Sequence, residues 1–110
     1  MGLFAEGFGM IKEGSKKIEI RLYDSKRQKI KTGDEIIFGL LPDKNETIKV
    51  QVTGVDVYKD FETLYRHVDF AQLGRAGKTP EWMLQASYDY YTKQDEATYG
   101  VVAISFIVIP

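Results

Sequence analysis

At 110 residues with 44% hydrophobic side chains, the chain is sized for one domain, residues 1–110, whose core needs no metal or disulfide staple. Fifteen basic and sixteen acidic residues leave a formal charge of −1, which excludes wholesale attraction to DNA or to an anionic membrane and confines any nucleic-acid role to a local patch. The lack of cysteine and the single His67 exclude disulfides, a thiolate nucleophile and Cys- or His-built metal centres, so neither metal nor cofactor is expected.

The first six residues carry no basic segment before an apolar run, and Glu6 stands where a myristoylation signal needs Ser or Thr. The longest apolar stretch, 101–109 interrupted by Ser105, is far short of the roughly 20 residues that span a bilayer, so a soluble, cytoplasmic protein without a membrane partner is expected. Phe4, Phe8 and Ile11 recur at helical spacing and predict a short helix that ends at Gly14. Ile18, Ile20 and Leu22 then alternate with Lys17, Glu19, Arg21 and Tyr23, the period of a strand with one buried face. Turn residues 31–34 lead into a strand over 36–41, and Pro42–Asn45 separate it from a second alternating run at Ile48, Val50 and Val52, predicting a hairpin. Val55 and Val57 reverse that parity, which places a β-bulge at Gly54 and predicts a curved, closing sheet. Asp60, Thr79 with Pro80 and Glu81, and Thr92 with Asp95 are helix N-terminal signals. Trp82, Met83, Tyr88, Tyr90 and Tyr91 crowd one predicted helix, mostly as packing, with one of them able to join Tyr23 in stacking a base at a cleft mouth. The run 99–109, rich in β-branched residues, predicts a buried closing strand.

Between positions 12 and 31, eight basic residues (Lys12, Lys16, Lys17, Arg21, Lys26, Arg27, Lys29 and Lys31) stand against Glu13, Glu19 and Asp24, a net +5 that leaves −6 on the rest of the chain. Within it, Gly14-Ser15-Lys16-Lys17-Ile18-Glu19-Ile20-Arg21 reads Gly-x-Lys-x-x-Glu-x-Arg, followed by Lys31-Thr32-Gly33-Asp34 and a hydrophobic strand. This order resembles the activating signal cointegrator homology (ASCH) family of the PUA-like superfamily, in its small prokaryotic members. The loop 22–27, the helix entry 58–62 and the segment 99–104 extend the likeness over nearly the whole chain. The resemblance implies an α+β fold, a PUA-like mixed β-barrel of about five to six strands with flanking helices, and a cleft beside the first strand that binds RNA or a nucleotide-like small molecule.

The motif has its own physics. Glu19 and Arg21 are two apart on one strand face, about 6.5 to 7 Å along the chain, so one ligand can touch both. Arg21 offers a fork of donors to a phosphate or planar acceptor, and Glu19 accepts from an amine or orients water. Lys16 joins that face only if regular strand structure begins after it. The plainer alternative is an exposed Glu19–Arg21 pair worth less than about 1 kcal/mol. Some ASCH proteins are amidohydrolases that deacetylate acetylated cytidine with a threonine, a lysine and a glutamate. Lys16 matches that lysine, while Glu19 occupies the threonine's place, so the nucleophile is missing.

Two other features are weaker. Gly74-Arg75-Ala76-Gly77-Lys78-Thr79 ends like a phosphate-binding loop, but Gln72 stands where the first glycine is needed; Arg75, Lys78 and the loop amides can still attract an anion. No serine has a nucleophile-elbow sequence around it, and His67 reads as an exposed helix-end residue. The expectation is a binding module for RNA or a nucleoside-like ligand, using Lys16, Glu19, Arg21, Tyr23, Lys26 and Arg27, with no sequence-specific DNA binding. The alternatives are a hydrolase of an acylated pyrimidine nucleoside amide or of RNA, with Lys16 and Glu19 as catalytic acid/base pair, and a protein-interaction domain without ligand.

Overall fold

A computed structural model describes residues 1–110. A two-residue strand β1 (Gly2–Leu3) opens the chain and was not signalled by any periodicity, because two residues have none. Helix α1 (Ala5–Glu13) buries Phe8 and Ile11 and stops at Gly14, whose φ of 91° lets its N–H reach back to Met10 and Ile11 carbonyls. Phe4, expected on the helix face, lies outside the helix and is 62% exposed.

Strands β2 (Ile18–Leu22), β3 (Glu35–Leu40), β4 (Thr47–Tyr58) and β5 (Val101–Val108) join β1 in one five-stranded sheet of order β1-β3-β4-β5-β2. The β1–β3 pair is parallel and the others antiparallel, so the sheet is mixed. It curls into a half-barrel, and the fold is α+β. β4 runs through Gly54 with a register shift between Val52 and Gly54, the bulge that the parity change called for. That shift keeps Val52 and Val55 against the same core.

Both faces of β5 are covered from Val101 to Phe106, which explains an apolar sequence interrupted there only by Ser105, whereas Ile107 and Val108 are exposed. Val102, Ile104 and Phe106 face a core with Phe8, Ile11, Phe38, Val50 and Val52, whereas Val101 and Ala103 face a second core with Phe61, Leu64, Tyr65 and Met83. The second core lies under three short helices. α2 (Phe61–His67) starts at Asp60, whose side chain accepts from the Thr63 N–H. α3 (Pro80–Tyr88) starts at Thr79, which accepts from the Trp82 N–H, and α4 (Lys93–Tyr99) starts at Thr92, which accepts from the Asp95 N–H. Tyr90 and Tyr91 lie beyond α3 in the connection to α4, and Tyr99 belongs to α4 and not to the last strand, because Thr92 starts a helix that carries the chain to Gly100. No helix is long and apolar enough to cross a membrane.

Candidate functional site

The half-barrel is open between its two edge strands, β1 and β2. A cleft of about 440 Å³ occupies this seam, walled by α1 on one side and α3 on the other. Its size lies in the range of small-molecule sites, about 300 to 1,000 Å³. The turn after α1 delivers Lys16 to the floor. Gly14 reverses the chain, Ser15 and Lys16 donate to the Met10 carbonyl, and Lys17 donates to Gln72 at 2.7 Å, which ties Lys16 beside Leu73.

Glu19 faces the same side of the sheet as Ile104, its partner on β5, and is only 4% exposed. Strand alternation predicted a charged face for Glu19, and the structure buries that face because α1 rises over it. The carboxylate is surrounded by donors. Oε1 takes the Lys16 ammonium at 2.9 Å and the Ile20 N–H at 3.2 Å; Oε2 takes Arg21 Nη2 at 3.0 Å and Nε at 3.2 Å. Burial is the largest influence and pushes the Glu19 carboxyl up, but Lys16 and Arg21 together outweigh it and hold the group below its ordinary value. Glu19 is therefore a buried anion between two cations, and its acceptor positions are filled. The exposed-pair alternative fails on this burial.

Arg21 does one thing more. Its Nη2 also donates to the Gly2 carbonyl at 2.8 Å, linking β2 to β1 across the open seam. With one carboxylate against two cations, the floor keeps a net +1. Two Lys16 N–H groups and Arg21 Nη1 make no bond within the chain and are available to an acceptor.

The backbone adds to this. In the β2–β5 ladder the odd residues bond to β5, as Phe106 N–H to Lys17 and Tyr23 N–H to Gly100 show, so the polar groups of Ile18, Ile20 and Leu22 point to the free edge. Ile20 N–H is closed by Glu19, which leaves the N–H groups of Ile18 and Leu22 and the three carbonyls open there. Apolar walls come from Leu3, Phe61, Leu73 and Met83.

Sequence reasoning missed Glu6, Tyr65 and Ser87 as lining residues, and named Tyr91 and Arg75 without bringing them to this cleft beside the Lys16–Glu19–Arg21 cluster. The Tyr65 hydroxyl lies 2.7 Å from Ser87 Oγ, which donates to the Met83 carbonyl. Tyr91 stacks on Phe61 at 5.6 Å and has no hydrogen-bond partner for its hydroxyl; burial pushes that hydroxyl up against the pull of Arg21, so it stays a neutral donor. Glu6 on α1 is paired with Arg75 across the cleft mouth, and Arg75, the closest source, holds the Glu6 carboxyl low. No local pattern marks these side chains, since they converge from α1, α2, α3 and the connection after it.

The other expected residues lie apart from the lining. Tyr23 packs against the barrel core. Lys26 is exposed in a 3₁₀ turn (Arg27–Lys29 with Lys26 as its cap), and Arg27 is held by Asp24 at 3.1 Å. No group of three or more His, Asp or Glu side chains converges in a way that could hold a metal ion. His67 ends α2, exposed, with Nδ1 2.8 Å from the Thr63 carbonyl.

Residues 1–110 match the model of the ASCH domain family. Among solved structures the chain is similar to the hypothetical protein PH0355, with 38% identity and a TM-score of 0.87 over 99% of this chain and 96% of that one. It is also similar to protein PF0455 from Pyrococcus furiosus, with 34% identity and a TM-score of 0.75 over 99% and 94% of the two chains. An ASCH domain from Lactobacillus crispatus shares the fold at 18% identity, with a TM-score of 0.62 over 94% of this chain and 70% of that one. No curated protein matches the chain.

Proposed function

The chain belongs to the ASCH domain family of the PUA-like superfamily, and from that premise we propose that the seam between β1 and β2 binds a nucleoside unit, free or within RNA. The observation that carries this reading is the Lys16–Glu19–Arg21 cluster beside the free edge of β2, a buried carboxylate between two half-buried cations. Burying a carboxylate and much of two cations is costly, and a stability role alone would be served as well by packed apolar residues. A reason to keep them is the donor-rich, positive floor they build. Such a floor suits the carbonyls of a nucleobase or the oxygens of a phosphate. The edge of β2 adds a backbone donor beside carbonyl acceptors, the pairing that a base edge presents in reverse. Apolar walls flank the plane a ring would occupy. Lys26 and Arg27, whose charges act on the amine of Met1, form a basic flank outside the cleft that would favour approach of an anion.

Binding is favoured over hydrolysis because Glu19 has no acceptor position to spare. To act as acid or base it would first have to release one of its four donors. Its role in this reading is to position Lys16 and Arg21.

Titration calorimetry with the four ribonucleosides and with short single-stranded RNA tests the proposal. Wild type is expected to bind at least one of them, and Lys16→Met, which removes charged donors from the floor, to weaken binding by about tenfold or more. Absence of binding, or affinity unchanged in Lys16→Met, would overturn it. Chromatography of the same mixtures reads the alternative: turnover that disappears in Glu19→Gln would make the protein a hydrolase.

A further inference from the structure

Three large aromatic side chains are exposed around one concavity. Phe4 is 62%, Trp82 41% and Tyr90 76% exposed, and all three line the mouth of the cleft. Scattered exposed apolar residues need no explanation, but rings gathered at the rim of a binding site do. Trp82 is also held beneath two cations. Lys78 Nζ lies 4.6 Å and Arg75 Cζ 5.5 Å from its ring centre. The loop that places them turns through positive φ at Gly74 and Gly77, and the Thr79 cap anchors Trp82 in the first turn of α3. The indole keeps its 41% exposure with both cations in place, so ring surface remains for a partner.

An exposed ring flanked by Lys and Arg is the pairing that holds single strands, in which the ring stacks a base and the cations take the adjoining phosphate. Neither part is needed by a nucleoside that fills the floor. We propose that this mouth is a second subsite, for a flanking base and its phosphate, so that the ligand is single-stranded RNA of at least two nucleotides and not a free nucleoside. The inference rests on the reading of the floor given above. Arg75 is paired with Glu6, and an arriving phosphate would take Glu6's place on the guanidinium.

Trp82 is the only tryptophan of the chain, so its fluorescence reports the mouth directly. Wild-type protein would be titrated with the four ribonucleosides, their 5′-monophosphates and the ribodinucleoside monophosphates, by calorimetry and by tryptophan emission. The best dinucleotide is expected to bind about tenfold or more tightly than its component nucleosides and to quench Trp82 saturably, an advantage of the size that stacking one base provides. In Trp82→Ala, followed by calorimetry, that ratio should fall to near one. Lys78→Gln should reduce the salt dependence of dinucleotide binding by a slope of about 0.7. Trp82 and Lys78 are both exposed, so neither variant should compromise folding, which circular dichroism would verify. Nucleosides and dinucleotides of equal affinity, or a dinucleotide advantage intact in Trp82→Ala, would overturn the second subsite while leaving the floor's role standing. Failure of every ligand to bind would sink both.

Discussion

A carboxylate that is 4% exposed and still ionised depends on its partners, and Glu19 shows how strongly. Burial alone would raise its carboxyl; the two cations lower it beneath the ordinary value of 4.5. Because the folded value is the lower one, the group contributes its full stabilisation above about pH 4.5, and that contribution fades as pH falls through the folded value. Asp60, held low by Thr63, first through its side chain and then through the N–H that Asp60 caps, acts in the same direction from its ordinary value of 3.8. Glu19→Gln is expected to cost about 3 kcal/mol at neutral pH, since it leaves Lys16 and Arg21 facing each other without a carboxylate. It should also flatten the acid limb of the stability profile. Urea melts of wild type and variant across that range check both; a variant as acid-sensitive as wild type would mean that Glu19 is not the group involved.

At the scale of elements, three helices meet through one polar knot. Glu96 on α4 is buried and accepts from the Phe61 N–H at 2.8 Å and from the Tyr88 hydroxyl at 3.0 Å, so it joins α4 to the start of α2 and the end of α3. Burial, the hydrogen bond to Glu96 and its negative charge push the Tyr88 hydroxyl up to about 12 from 10. The raised value means the neutral phenol stabilises the fold fully below pH 10 and that this is lost as pH rises towards about 12. Tyr88→Phe should lower stability at neutral pH by about 1 kcal/mol and weaken the alkaline loss, read by denaturant titration on either side of pH 10. The junction between α4 and β5 is equally constrained. Gly100 has φ 70° and ψ −171°, and a Cβ there would lie 2.9 Å from the Tyr58 carbonyl oxygen. Gly100→Ala is expected to destabilise by more than about 2 kcal/mol, through backbone strain and that contact. A thermal midpoint unchanged from wild type would contradict it.

For the whole molecule, the open seam is both the site and the weakest boundary of the sheet. β1 is only two residues long and is fastened by the bonds of the Gly39 and Leu41 N–H groups to the carbonyls of Met1 and Leu3, and by Arg21 reaching across from β2. Arg21→Ala should therefore loosen β1 preferentially. Hydrogen exchange at Gly39 and Leu41 should quicken, while amides in the β4–β5 ladder keep their protection. Equal changes in both places would mean global destabilisation and no special role for Arg21 in closing the seam.

The elements were legible where local chemistry determines them. Asp60, Thr79 and Thr92 cap their helices because a short side chain can satisfy a nearby N–H whatever surrounds it, and Gly54 marks its bulge because the apolar parity reverses there. The motif from Gly14 to Arg21 likewise identified the family, and with it the half-barrel. What the tertiary structure alone decided is which polar residues are buried and which aromatic residues are not. Alternation assigns Glu19 to a charged face, but an edge strand of a curled sheet with helices rising on both sides has no solvated face, so the charge is enclosed and must find its partners. Phe4, Trp82 and Tyr90 look locally like core material. Their exposure depends on α1 and α3 standing apart across the seam, a separation set by long-range packing that no sequence window contains.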